Sequence, residues 1–187
     1  TDSLVGSEMC IRDRHKGEVD MLEETYLKII SAKTAELFAA STKVGAILSN
    51  VKTKEKEALE FYGRNLGLTF QIADDTLDYN SELKLFGKKI GTDFYEGKIT
   101  LPIIILFQKA NVEEKKNLEK IFSKEIRDEK DLDSTLSLIK KYDVIKDCYQ
   151  KAQHYINLAS NSLSIFKESE EKIIFENLTS FSLSRNF

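Results

Sequence analysis

Apolar residues return every three to four positions through most of this chain, the spacing that lays one stripe along a helix. Over about 20–48 the stripe runs Leu22, Tyr26, Ile29, Ile30, Lys33, Leu37, Ala40, Val44 and Ile47, which predicts one long helix. Ser31, Ala32, Ala35, Ala39, Ala40 and Ser41 keep that helix slim, so another helix can come close. A second stretch, about 54–79, holds Leu59, Tyr62, Leu66, Phe70, Ala73 and Leu77 in register. Gly63 and Gly67 lie inside it, and each costs about 1 kcal/mol relative to alanine in a helix. That cost points to tight packing or to the close approach of a ligand.

The helical period stops over 80–98, where Gly87, Gly91 and Gly97 fall. Thr100 then reads as an N-cap, with Pro102 in the first turn, where its missing N–H costs little. The run 103–107 is apolar nearly all round, the pattern of a buried helix. Amphipathic helices are predicted at about 113–122, 131–142, 144–166 and 170–181. Neither strand alternation nor an internal repeat is seen, so the fold class is all-α.

Composition adds few constraints. Hydrophobic residues make up 41% and charged residues 32%, with one proline and eight glycines, as expected of a soluble helical protein. A net charge of −3 leaves no basic footprint for nucleic acid. Cys10 and Cys148 form neither a disulfide framework nor a metal-ligand pattern, so a reduced, cytoplasmic setting is expected. The longest apolar run, 101–107, is too short to span a bilayer, and no signal-peptide pattern is seen. Residues 1–14 have no helical period and read like translated sequencing-adaptor sequence. They are expected to be non-native or unstructured, which leaves 15–187 as the domain.

The chemistry concentrates in Phe70-Gln71-Ile72-Ala73-Asp74-Asp75-Thr76-Leu77-Asp78. On a helix Asp74 and Asp78 lie one turn apart on nearly the same face, with Asp75 beside them. So much like charge in one place is unfavourable unless a cation binds. Mg²⁺ takes oxygen ligands and commonly bridges a carboxylate to a substrate phosphate. A bare D-D-x-x-D is weak evidence, because a solvated acidic face gives the same pattern. Gln71, one turn earlier, carries an amide able to donate to a phosphate oxygen. Downstream, Lys88, Lys89 and Lys98 flank Asp93 in the glycine-containing loop, and lysine binds phosphate as a point charge. Lys33-Thr34 interrupts the small, apolar face of the first helix, which points to a ligand there, a snorkelling lysine being the plainer reading.

These motifs, in this order, resemble the C-terminal half of trans-isoprenyl diphosphate synthases, in particular the long-chain octaprenyl- or decaprenyl-like branch. Lys33-Thr34-Ala35-Glu36-Leu37-Phe38 looks like that family's Lys-Thr helix. Tyr62-Gly63-Arg64-Asn65-Leu66-Gly67 leading to Asp74-Asp75-Thr76-Leu77-Asp78 looks like its second aspartate-rich motif. Gly87-Lys88, Gly91-Thr92-Asp93, Glu96-Gly97-Lys98 and Thr100-Leu101-Pro102 follow in the family's order.

The resemblance implies a helical bundle of the isoprenoid synthase type that condenses isopentenyl diphosphate with an allylic diphosphate. The product would be a linear all-trans polyprenyl diphosphate, of the kind used for quinone side chains. It implies that Asp74 and Asp78 bind Mg²⁺, supported by Asp75, and that Lys33, Thr34, Gln71 and Lys88 contact the allylic diphosphate. Lys98 would lie near it, Asp93 would orient a lysine or a water, and Arg185 would mark a basic tail close to the pocket. A homodimer is implied for the full-length protein.

The family carries two aspartate-rich motifs, and only the second is present. The expectation is therefore an N-terminally truncated chain that does not catalyse condensation alone and exposes apolar helix faces. The alternative is a non-catalytic partner subunit of a heteromeric prenyl synthase, which predicts eroded aspartates. A terpene cyclase of the same fold would use a second metal motif rich in Asn and Ser or Thr. Product chain length cannot be read here.

Overall fold

The structure, a computed structural model, describes residues 19–80 and 90–184. Among these, every regular element is helical: α1 (Glu23–Ile30), a π-helical turn (Ser31–Ala35), α2 (Glu36–Leu48), α3 (Thr53–Leu77), α4 (Thr92–Glu96), α5 (Leu101–Lys109), α6 (Val112–Phe122), α7 (Glu129–Lys141), α8 (Val144–Ser162), a 3-10 turn (Leu163–Ile165) and α9 (Glu170–Ser184). None of these helices is long and apolar enough to cross a membrane.

Two details depart from the periodicity reading. The helix predicted over 20–48 is interrupted by the π turn at its centre. An extra residue in one turn moves the apolar stripe by a single position, which the tolerance of a three-to-four spacing hides. The region 80–98 contains the short helix α4, whose five residues are too few to show a period.

The chain divides into two compact units. One comprises the described residues up to Ile29 together with Asp74–Cys148. Its core holds Tyr26, Tyr79, Phe94, Leu118, Phe122, Leu132 and α5, whose residues 101–106 are all buried, as their all-round apolar character requires. Thr100 stands at the N-cap of α5 but makes no side-chain cap bond, and Pro102 lies in the first turn. Asn111 with Glu114, and Asp128 with Asp131, form reciprocal capping boxes that start α6 and α7.

The other unit comprises Ile30–Ala73 and the described residues from Tyr149 onward. Tyr62, Leu66, Ala159 and Leu163 form a buried cluster here, with Phe38, Leu59, Phe166 and Phe175 packed against it. Tyr62 donates its hydroxyl to the Phe175 carbonyl at 2.7 Å. Within this unit α2 and α3 run antiparallel and nearly touch. A Cβ on Gly67 would lie 2.6 Å from Ala35 Cα, and one on Gly63 would collide with Thr42 and the Phe38 carbonyl. The two glycines are thus explained by helix packing. Thr42 Oγ1 donates across the seam to the Leu59 carbonyl at 2.6 Å, and Lys43 pairs with Glu60 at 2.7 Å on its rim.

Candidate functional site

The three carboxylates at the end of α3 share one helical turn and differ in what they touch. Asp74 is exposed, and no hydrogen bond or ion pair among the described residues engages it. Asp75 is 6% exposed, and the fully buried Tyr26 of α1 donates its hydroxyl to Asp75 Oδ2 at 2.8 Å. Burial, together with the charge and hydrogen bond of Asp75, pushes the Tyr26 phenol well above its ordinary range, so Tyr26 remains a donor. Asp78 is half-buried and accepts two backbone amides, Thr92 N on Oδ1 at 2.9 Å and Asp93 N on Oδ2 at 2.8 Å. Its own carbonyl takes the Gly91 amide at 2.8 Å. Asp78 therefore satisfies the first N–H groups of α4, which its own helix leaves without partners. Burial raises the Asp78 pKa, and the amides pull against that rise.

The α4 turn also sets the charged pair that follows it. Asp93 Oδ1 lies 2.9 Å from Lys98 Nζ, and Glu96 Oε2 lies 2.7 Å from the same ammonium. Burial would lower the Lys98 pKa, but the hydrogen bonds to Glu96 and Asp93 outweigh it and leave the pKa raised. Among the lysines that flank it in sequence, Asp93 pairs with Lys98. The turn closes through Gly97, whose φ of 71° lies in the left-handed region that favours glycine.

In the other unit Thr34 donates its hydroxyl to Gln71 Oε1 at 2.7 Å, joining the π turn to α3. Lys33 sits in the same turn, exposed and with no carboxylate paired to it among the described residues. Single π turns inside α-helices occur often at functional sites. The sequence-derived residues thus fall into two groups: Asp74, Asp75, Asp78, Asp93 and Lys98 in one unit, Lys33, Thr34 and Gln71 in the other. Gly87, Lys88, Lys89 and Arg185 lie outside the described residues.

Tyr26 lies outside the motif, and apolar spacing alone places it in a hydrophobic stripe. The available signal was its hydroxyl, since a buried tyrosine needs a hydrogen-bond partner. Among the described residues no three His, Cys, Asp or Glu side chains cluster closely enough to enclose a metal by themselves. The donors fit a hard cation of another kind. Mg²⁺ keeps several waters and commonly uses one or two carboxylates plus substrate phosphate. Asp74 supplies a carboxylate that no described residue engages, and each Asp78 oxygen retains a lone pair beyond the amide it accepts.

A family model described as polyprenyl synthetase matches residues 4–139. The chain is 34% identical over 167 residues to the short chain isoprenyl diphosphate synthase of Methanothermobacter thermautotrophicus, covering 89% of this chain and 51% of that protein. A decaprenyl diphosphate synthase from Rhodobacter capsulatus superposes with a TM-score of 0.91 at 27% identity, over 99% of this chain and 57% of that one. A polyprenyl synthase from Caulobacter crescentus, solved in complex with calcium and isoprenyl diphosphate, gives 0.90 at 33% identity, over 98% of this chain and 56% of that one. The chain therefore spans about half the length of the relatives it matches.

Proposed function

The chain belongs to the polyprenyl synthetase family, with its all-α isoprenoid synthase fold, and from that premise we propose that it binds an allylic diphosphate for prenyl transfer. The observation that carries this reading is the division of labour in the acidic turn. Among the described residues nothing engages the Asp74 carboxylate, while Tyr26 and the α4 amides hold its two neighbours. An acidic cluster serving only solubility has no need for two of its three members to be anchored while the third stands clear.

In this reading Asp74 is the principal ligand of Mg²⁺, Asp78 a second one through its remaining lone pairs, and Asp75 a buried support. When bound, Mg²⁺ neutralises the diphosphate and makes it a better leaving group. Lys98, held by Asp93 and Glu96, is the ammonium of this unit, and Lys33 in the other unit is a second lysine of the kind that binds phosphate as a point charge. Thr34, whose hydroxyl donates to Gln71 Oε1, orients that side chain so that the Gln71 amide nitrogen is the group that would donate to a phosphate oxygen. These residues bind, orient and neutralise; none of them serves as a nucleophile. Cleavage of the allylic C–O bond would release diphosphate, the double bond of isopentenyl diphosphate would attack the allyl cation, and loss of a proton to the released diphosphate would restore a double bond in a chain one five-carbon unit longer. A homodimer is proposed for the complete enzyme. The intact aspartates weigh against a non-catalytic partner subunit.

Calorimetric titration of geranyl diphosphate into the chain tests this. Binding is expected with Mg²⁺ and not with EDTA, and Asp74→Asn should weaken it by on the order of a hundredfold, since even outer-shell changes cost 10–100-fold. Equal binding with and without metal would refute the reading.

A further inference from the structure

We propose, resting on the diphosphate reading above, that Arg127 is a positioning residue that holds the α4 turn, and with it Asp78 and Lys98, in working shape. Arg127 lies in the connection between α6 and α7 and is only 6% exposed. A buried arginine ordinarily has an anionic partner. Among the described residues no carboxylate pairs with it, and nearby Asp131 pairs with Lys124 instead, at 2.6 Å. Burial works against its charge and lowers its pKa.

The guanidinium spends its donors on the backbone. Nε donates to the Phe94 carbonyl at 2.8 Å and Nη1 to the Lys124 carbonyl at 2.6 Å. Nη2 occupies the space that a Cβ on Gly97 would need, so the guanidinium lies directly against the backbone of the turn, at a residue whose φ favours glycine. The guanidinium carbon lies 5.7 Å from the centre of the Phe122 ring. Phe94 belongs to α4, and its carbonyl also receives the Gly97 amide at 3.0 Å.

A five-residue helix cannot hold itself, because nucleating a helical turn is unfavourable. Its geometry has to come from both ends. Asp78 pins the first amides, and Arg127 pins the carbonyl of the last turn. If the second pin is released, the Thr92 and Asp93 amides drift from Asp78, and Lys98, one residue beyond Gly97, loses its place beside Asp93. Lysine is no substitute, since one ammonium lacks the planar fork that serves two carbonyls at once.

The test uses Arg127→Lys and Arg127→Met in the full 187-residue chain, read by amide NMR and by Mg²⁺-dependent pyrophosphate binding. Exchange of the Thr92, Asp93 and Gly97 amides should accelerate while α5 to α7 keep their protection. Affinity should fall about tenfold in both variants, with no rescue by lysine. Unchanged affinity, or faster exchange spread evenly through α5 to α7, overturns the proposal, the latter marking an ordinary core residue. Should neither variant fold, the unsubstituted chain decides: the Arg127 Nε proton should exchange slowly and couple across the hydrogen bond to the Phe94 carbonyl, and exchange at the solvent rate overturns it. If that coupling is present but the unsubstituted chain binds no pyrophosphate, Arg127 keeps its place on α4 and the diphosphate reading is what falls.

Discussion

Replacing Asp74 with asparagine removes charge from an exposed carboxylate that no described residue engages, and relieves repulsion within the acidic turn, so without metal the denaturation midpoint should not fall. Replacing Asp78 with alanine takes away the acceptor of two α4 amides, a loss comparable to deleting an N-cap, and should cost about 1 kcal/mol. Chemical denaturation of the two variants side by side checks the contrast. Equal stability losses would mean that the carboxylates are not divided as described. At this scale the sequence singles out the three carboxylates but not how they differ. Asp74, Asp75 and Asp78 look alike in a motif, and the partners of Asp75 and Asp78 come from other elements, α1 and α4. Tyr26 lies 49 positions from Asp75, a separation no local pattern bridges.

Between helices, packing explains residues that first looked like possible ligand contacts. Gly67→Ala drives a methyl into the backbone of the π turn and should destabilise the chain by about 1–3 kcal/mol, the usual cost of overpacking. Gly45, with nothing near its added Cβ, is the control, and its replacement by alanine should be neutral or slightly stabilising. Thermal melts of both variants decide this.

Glu114 gives an element-scale prediction for pH. It caps α6 through the Asn111 amide at 2.9 Å and reaches α7 and its end through Lys141 at 2.6 Å and the Tyr142 hydroxyl at 2.5 Å. The Lys141 hydrogen bond first, then that of Tyr142, brings its pKa from 4.5 down to about 2. A depressed folded-state pKa stabilises above the unfolded value and is lost as pH falls through the folded one. Stability should therefore decline between about pH 4.5 and about pH 2, and Glu114→Gln should flatten that limb of the stability–pH curve. The helices themselves were largely legible from apolar spacing. The π turn was not, because its extra residue is too small a phase change, and α4 was not, because it borrows its stability from Asp78 and Arg127.

For the molecule as a whole, the relevant fact is that the chain spans about half the length of its relatives. On α2, Leu37, Val44, Ile47 and Leu48 are exposed, the last at 81%, and on α9 so are Ile173, Ile174, Leu178 and Phe181. Apolar stripes of this kind favour association in water. Val44→Lys with Leu48→Lys should raise the concentration at which light scattering begins, without changing helicity. The amphipathic pattern predicted that these faces exist, but periodicity alone cannot say which apolar stripe stays in solvent.

The central claim is that Asp74, backed by anchored neighbours, holds a divalent cation against a diphosphate, and ³¹P relaxation of pyrophosphate with Mn²⁺ tests it most directly. With Mn²⁺ in place of Mg²⁺, the unsubstituted chain should change the paramagnetic broadening of the pyrophosphate signal from that of free Mn²⁺-pyrophosphate, and Asp74→Asn should abolish the change. Broadening identical in the presence of either protein, or in its absence, would contradict the account.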